Sequence, residues 1–219
     1  MFILALDTRI LKVMHLHYKK IIHFLFPLTE NERIVEDTTR VYMTGLLCPC
    51  TENSITKLLP YGDPSVKAAI HTMKFHYNKK AHGLLTAVLH IYMNQLPKKE
   101  YIAIPVPLSS KRVRARGYNQ VTEVLRTAIK DIPHISLEKN MLVKHTDTVP
   151  QTTLTRKERL VNVSDAYSIR NMPTAKKKLA GKNILLIDDV TTTGATLKAA
   201  AAALRPLQPK SITCIALAH

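Results

Sequence analysis

The sequence predicts an α/β protein built on an open, mainly parallel sheet flanked by helices. Three observations carry this. Ile184–Ile187 is an unbroken aliphatic run, the pattern of a strand buried on both faces. Ala195–Leu204 follows after a short loop and is dominated by alanine, the strongest helix former. Ile212–Ala218 then supplies a second apolar strand, and strand, loop, helix, strand is the unit of a parallel sheet.

The remaining elements are read in order. His15–Leu28 carries apolar residues at roughly helical spacing and halts at Pro27, ahead of the polar stretch Thr29–Arg40 and a Cys48-Pro49-Cys50 segment. Residues 1–60 are therefore expected to form a small N-terminal helical and irregular lobe, and residues 61–219 the main domain. Asp63 and Pro64 are helix-start residues, and Val66, Ala69, Ile70 and Met73 give the stripe that follows. A second helix is expected over about Ala81–Asn94 and a third over Val121–Ile129. Tyr101–Leu108 reads as a strand closed by prolines, with shorter strands at Met141–Val143 and Tyr167–Ile169. Beyond the lysine cluster Lys176–Lys178, neither a repeat nor a low-complexity tract is visible.

Bulk properties set the outer bounds. With 219 residues, 46% of them hydrophobic, the chain can pack one domain and a small lobe but not two large domains. Its apolar runs are too short for a bilayer, and Asp7 and Arg9 fall where the apolar part of a secretory signal would lie. No membrane span and a cytoplasmic location are expected. Lys and Arg total 32 against 16 acids, a formal charge of +16 that attracts nucleic acid, pyrophosphate or an anionic membrane face, or simply solvates the surface. Charge alone does not separate these. Aromatic residues are only 5% with no Trp, which argues against an extended base-stacking platform. Cys214, inside an apolar run, reads as a small core residue, and three cysteines do not make a disulfide framework. Cys48 and Cys50 cannot complete a zinc site alone, although His15, His17 or His23 are conceivable further ligands.

The chemistry gathers after Ile187. Ligands of open parallel sheets bind at the carboxyl ends of the strands, where Asp188 and Asp189 stand. Gly194 permits a tight turn, and the start of the following helix offers unpaired amides at the positive end of a dipole. Thr192, Thr193 and Thr196 add hydroxyl donors for a phosphate. The acid pair suits sugar hydroxyls or a hydrated divalent metal. A simple strand–helix turn with one capping Asp would need neither the second acid nor the Thr-Gly run.

Ile184–Thr196 resembles the phosphoribosyl pyrophosphate (PRPP) motif of type I phosphoribosyltransferases. The resemblance implies that Asp188 and Asp189 meet the ribose and its Mg2+, and that Thr192, Thr193, Gly194, Ala195 and Thr196 cradle the 5-phosphate. Many purine-salvage members carry an acid where Thr192 stands, so purine salvage is not what the loop suggests. Ile104–Gln120, with its Pro-Val-Pro and Arg-Gly-Tyr-Asn-Gln elements, the pattern Thr148, Gln151, Leu154, Arg159, Asn162, and upstream Tyr61, Pro64, Ile70, Lys74 and Phe75 together resemble the ComF family of competence proteins over about residues 58–218. Pro105, Val106 and Pro107 then form the pyrophosphate-side loop, stiffened so as to present backbone amides. Lys111, Arg112, Arg114 and Arg116 supply positive charge beside it. Thr148, Gln151 and Arg159 fall in the segment that serves related enzymes as a mobile hood.

One departure stands out. ComF proteins often place a four-cysteine zinc finger after a helix ending in a Phe-Pro-like stop, and Phe24–Pro27 fits that stop. Thr29-Glu30-Asn31-Glu32 stands where cysteines would follow, so no structural zinc is expected. The resemblance implies a protein that binds PRPP with Mg2+ and assists the handling of single-stranded DNA in natural transformation. The alternative is an enzyme moving a ribose 5-phosphate group from PRPP to an amine or nucleobase, with no residue yet assigned as catalytic. A third reading makes residues 1–60 a dock for a helicase or DNA-uptake component.

Overall fold

Ile184–Ile187 lies in the middle of a six-stranded sheet. The chain is described from a computed structural model covering residues 27–75, 78–145 and 166–219. The sheet contains β1 (Cys50–Glu52), β2 (Ile55–Leu59), β3 (Tyr101–Pro105), β4 (Ile135–Leu137), β7 (Asn183–Val190) and β8 (Ser211–Ala218), in the order β1-β2-β8-β7-β3-β4. Every pairing in it is parallel except the β1–β2 hairpin at one edge. β5 (Leu142–Lys144) and β6 (Tyr167–Ile169) pair separately, antiparallel.

The helices are α1 (Glu30–Asp37), α2 (Arg40–Gly45), α3 (Pro64–Phe75), α4 (Lys79–Asn94), α5 (Ser110–Arg116), α6 (Gln120–Ala128), α7 (Met172–Leu179) and α8 (Ala195–Leu204). They cover both faces of the sheet. Leu185, Ile187, Ile215 and Leu217 face a core built with α1 to α4 and α6. Ile184, Leu186, Cys214 and Ala216 face a second core with α7, α8 and the β5–β6 pair. The period-two alternation of a strand thus places consecutive aliphatics of β7 in different cores, which is why the run is continuous. Cys214 is a core residue, as its apolar neighbours suggest.

The register positions the site. Pro105 pairs with Ile187 and Asp188 with Ala216, so β3 and β7 end side by side with the acid pair between them and β8. Asp63 caps α3, its Oδ1 accepting from the backbone N–H groups of Ser65 and Val66 at 2.8 and 3.3 Å.

Two expectations change. The sheet does not begin after residue 60, because β2 pairs in parallel with β8 from Ile55 to Leu59. The polar stretch Thr29–Arg40 is not irregular either. Thr29 and Glu32 form a capping box that starts α1, the Thr29 hydroxyl accepting from Glu32 N–H and the Glu32 carboxylate from Thr29 N–H. Val35 of α1 and Met43 of α2 are fully buried in the first core. The lysine cluster closes α7, at the end where a helix dipole favours cations. The helix expected over His15–Leu28 lies, but for its last two residues, outside the described residues.

Because β7 is buried on both faces, Leu185→Ala and Leu186→Ala should each cost about 2–5 kcal/mol, seen as a fall in urea midpoint. A large loss for one and almost none for the other would mean that one face of the strand is not packed.

Candidate functional site

The last residues of β7 leave the core as an acid pair. Asp189 makes an ion pair with Lys74 Nζ at 2.9 Å, and both side chains are mostly withdrawn from water. Lys74 comes from the last turn of α3, where the helix dipole also favours a cation. Asp188 Oδ1 accepts the backbone N–H of Asp189 at 2.9 Å. Loss of water and the like charge of Asp189 push the Asp188 carboxyl up to about 7, against the pull of that hydrogen bond, Lys74 and Lys144.

The loop that follows is held from behind and open in front. Thr191 is buried, and its N–H donates to Ala218 O at 3.0 Å, fastening the loop to the end of β8. Gly194 stands at φ +76° as the N-cap of α8 and brings no side chain to cap it. The Thr193 hydroxyl approaches, accepting from Ala195 N–H at 3.4 Å. Amides of the first turn of α8 therefore keep donor capacity and partial positive charge. Thr192, Thr193 and Thr196 are exposed around them, and Ala195 is half-buried. A Cβ on Gly194 would overlap the methyl end of Ile55, so the turn demands glycine for its φ and for space.

On the other side, Val106 N–H donates to Ile187 O at 2.8 Å, and Val106 O accepts from Asn119 Nδ2 at 2.9 Å. Pro105 and Pro107 have no N–H. The Pro-Val-Pro segment thus offers no free amide of its own and acts as a rigid mount. Asn119 also caps α6 through its Oδ1, so one side chain ties the mount to the next helix. Tyr118 Oη donates to Met73 O at 3.0 Å, joining this region to α3 beside Lys74.

α5 carries the basic cluster. Arg112 and Arg116, four residues apart on one helix face, turn toward the site: Arg116 lies within electrostatic reach of Asp189, and Arg112 of the Tyr167 phenol. Burial depresses the Arg116 pKa, and Asp189 opposes that shift. Lys111 remains exposed at the helix start. Thr148, Gln151 and Arg159 lie outside the described residues.

Several participants were not singled out for a role in the sequence. Lys74 stood only as one member of a pattern, although a lone lysine ending an apolar stripe is a visible signal. Tyr167 is buried, its Oη has no hydrogen-bond partner among the described residues, and Lys144 Nζ sits 5.5 Å from its ring centre. Burial and then the Asp188 charge push that phenol up. Nothing in the sequence placed Lys144 and Tyr167 opposite each other; the β5–β6 register does.

The arrangement puts two carboxylates at the centre, an anion-accepting helix start on one side and cations on the other. It suits a polyhydroxyl group carrying phosphates at both ends.

Two outcomes follow. Asp188 is raised in the folded chain, so its contribution to stability is fully retained below about pH 4 and is lost as pH rises through about 7. Ligand-free Asp188→Asn should therefore melt higher than the parent at pH 8, with the gap closing toward pH 4; a pH-independent difference in Tm would refute the buried-acid account. Gly194→Ala should cost about 1–2 kcal/mol through its left-handed φ, and should weaken inorganic phosphate binding measured by calorimetry.

Comparison with known proteins agrees with this geometry. The phosphoribosyl transferase domain model matches residues 91–219. Competence protein F of Haemophilus influenzae is 36% identical over 130 residues, covering 58% of this chain and 53% of that protein. Competence protein ComFC of Bacillus subtilis is 32% identical over 105 residues, 48% of this chain and 38% of that one. DNA utilization protein YhgH of Escherichia coli O157:H7 is 28% identical over 142 residues, 61% and 58% of the two chains. The chain thus spans about half the length of the curated relatives it matches. It belongs to the phosphoribosyl transferase domain family, and over that domain it is similar to competence and DNA utilization proteins.

Proposed function

We propose that this chain binds PRPP together with Mg2+ at Asp188–Thr196 and assists the handling of single-stranded DNA in natural transformation, in the cytoplasm. The observation that carries the first part is the start of α8 at Gly194, left without a side-chain cap directly after a partly buried acid pair. A helix N-terminus with no cap of its own, lined by three exposed threonines, is built for a phosphate. Asp188 and Asp189 are the carboxylates that would accept the ribose hydroxyls and hold the metal through its water shell. Bound Mg2+ would supply positive charge against the pyrophosphate. Arg112, Arg116 and Lys74 supply the rest from the protein, and Lys74 is placed to leave Asp189 for the incoming anion.

The DNA-handling part is supported by the names of the relatives, competence and DNA utilization proteins, and by the charge of +16. No helix among the described residues is long and apolar enough to cross a membrane.

A second reading, transfer of the phosphoribosyl group, draws on the same geometry, because the acids and cations surround the position of the sugar on both sides. An amine or nucleobase nitrogen would bond to the anomeric carbon while the bond to pyrophosphate oxygen breaks, pyrophosphate leaving with the electron pair. Positioning and charge stabilisation would carry such a step. Pyrophosphate release from PRPP across a panel of bases and amines distinguishes the readings: turnover with any acceptor favours the enzyme.

Replacing Asp188 and Asp189 together by Ala should abolish Mg2+-PRPP binding in calorimetry. Unchanged binding heat and affinity in that variant would mean that the site lies elsewhere.

A further inference from the structure

α5 has a second face. Arg116 lies within electrostatic reach of Asp189 and Arg112 of the Tyr167 phenol, whereas Ser110, Val113 and Arg114, spaced three and four residues apart, fall on the other helix face and line a groove of about 560 Å³. Its opposite wall is Lys139, Asn140, Leu142, Val143 and Lys144 with Arg170, and α6 contributes Arg126 and Glu123. Five cations, Arg114, Arg126, Lys139, Lys144 and Arg170, thus surround one opening. The lining has a single acid, Glu123, held by Arg126 at 2.6 Å. Pro107, Leu108, Leu142 and Val143 supply the apolar part of the lining, and Val113 is 41% exposed, unusual for a valine on so basic a surface.

We propose that this groove seats a short stretch of single-stranded nucleic acid, its phosphates on the cationic rim and a base against the apolar lining. The proposal rests on the DNA-handling reading above and names the surface responsible. The volume is that of a small-ligand cleft, of the order of 300–1,000 Å³, which admits one strand but not a duplex. An acidic peptide would satisfy the rim, but it would leave the apolar lining without a flat apolar partner. Pro107 and Lys144 also belong to the surroundings of the acid pair, so the groove opens beside the phosphoribosyl site and shares α5 as a wall.

The test is fluorescence anisotropy of a labelled oligothymidylate over a salt series, using the full chain. Three single-strand phosphate contacts contribute a slope of about −2 in log affinity against log salt. The triple variant Arg126→Ala, Lys139→Ala, Arg170→Ala should lose about that much slope and bind roughly tenfold or more weakly near 0.1 M salt. It should still bind Mg2+-PRPP with the parent's affinity, which also reports that it is folded. A control removing equal charge before the starts of β3 and β8, Lys98→Ala, Lys99→Ala, Lys210→Ala, none of which lines the groove, should stay within about twofold of the parent, because distant exposed charges are screened by salt. Equal weakening by both triples means diffuse attraction and overturns the groove, as does an unchanged groove variant. Displacement of the oligonucleotide by polyglutamate of matched charge at equal concentration also overturns it, in favour of an acidic protein partner. If the parent itself fails to bind the oligonucleotide at low salt, the DNA-handling reading and the groove fall together; if only the groove variant behaves like the parent, the groove alone falls.

Discussion

Two carboxylates side by side at the end of a buried strand are an electrostatic problem, and much of the surrounding architecture serves to contain it. β7 is fully buried through Ile187, so Asp188 emerges before it has recovered its water, with Asp189 as its neighbour. Each disfavours the charge of the other. Lys74 neutralises one of them from α3, Lys144 lends partial relief from β5, and Arg116 approaches from α5. Three separate elements therefore converge on two residues. In the ligand-free chain these cations screen the acids; under the proposed function they would also face the phosphates of a bound sugar. Burial and the neighbouring Asp189 charge together raise the Asp188 carboxyl, so holding this pair at the strand end carries a cost in free energy.

What the sequence made legible was what depends on neighbours along the chain. The buried run Ile184–Ile187, the glycine turn at 194, the alanine-rich helix after it and the Asp63-Pro64 start all declare themselves within a few residues. Thr192–Thr196 and the acid pair stand out as candidate site residues for the same reason. Lys74, Lys144 and Tyr167 do not, because their surroundings are set by registers and packing between segments that are not neighbours along the chain. The amides of the Pro-Val-Pro segment show the opposite failure. The local pattern suggested a phosphate-presenting loop, but the pairing of β3 with β7 commits Val106 N–H to Ile187.

The N-terminal region shows how a local motif can be overlooked when it is read only for what it lacks. Thr29-Glu30-Asn31-Glu32 interrupts the pattern of a cysteine finger, yet the same four residues are a capping box that begins α1. Val35 and Met43 then enter the first core, and Cys48 and Cys50 stay exposed at the entry to β1. Asp63 joins this part to the domain, capping α3 with one oxygen and accepting from Tyr42 Oη at 2.8 Å with the other. Packing and capping hold this part to the domain, and β1–β2 continues the sheet rather than forming a separate body.

α5 is the element in which these threads meet. None of its residues is buried, so apolar burial contributes little to holding it in place. Its fixed points are the Ser109 cap at one end and Gly117, at φ +78°, at the other. Between them, one face carries Arg116 toward Asp189 and Arg112 toward the Tyr167 phenol, and the other carries Ser110, Val113 and Arg114 to the groove. A helix with so few anchors belongs to the low-stability end of the fold, and a ligand on either face can order it. Ordering on one face sets the position of the other, since seven residues cannot bend independently. Under the two proposals above, free energy that a phosphorylated sugar spent on fixing α5 would be returned to a strand in the groove, and the reverse would hold by linkage. On this argument the basic residues after the Pro-Val-Pro mount are a shared wall, through which occupancy of a sugar-phosphate site can be felt at a nucleic-acid surface.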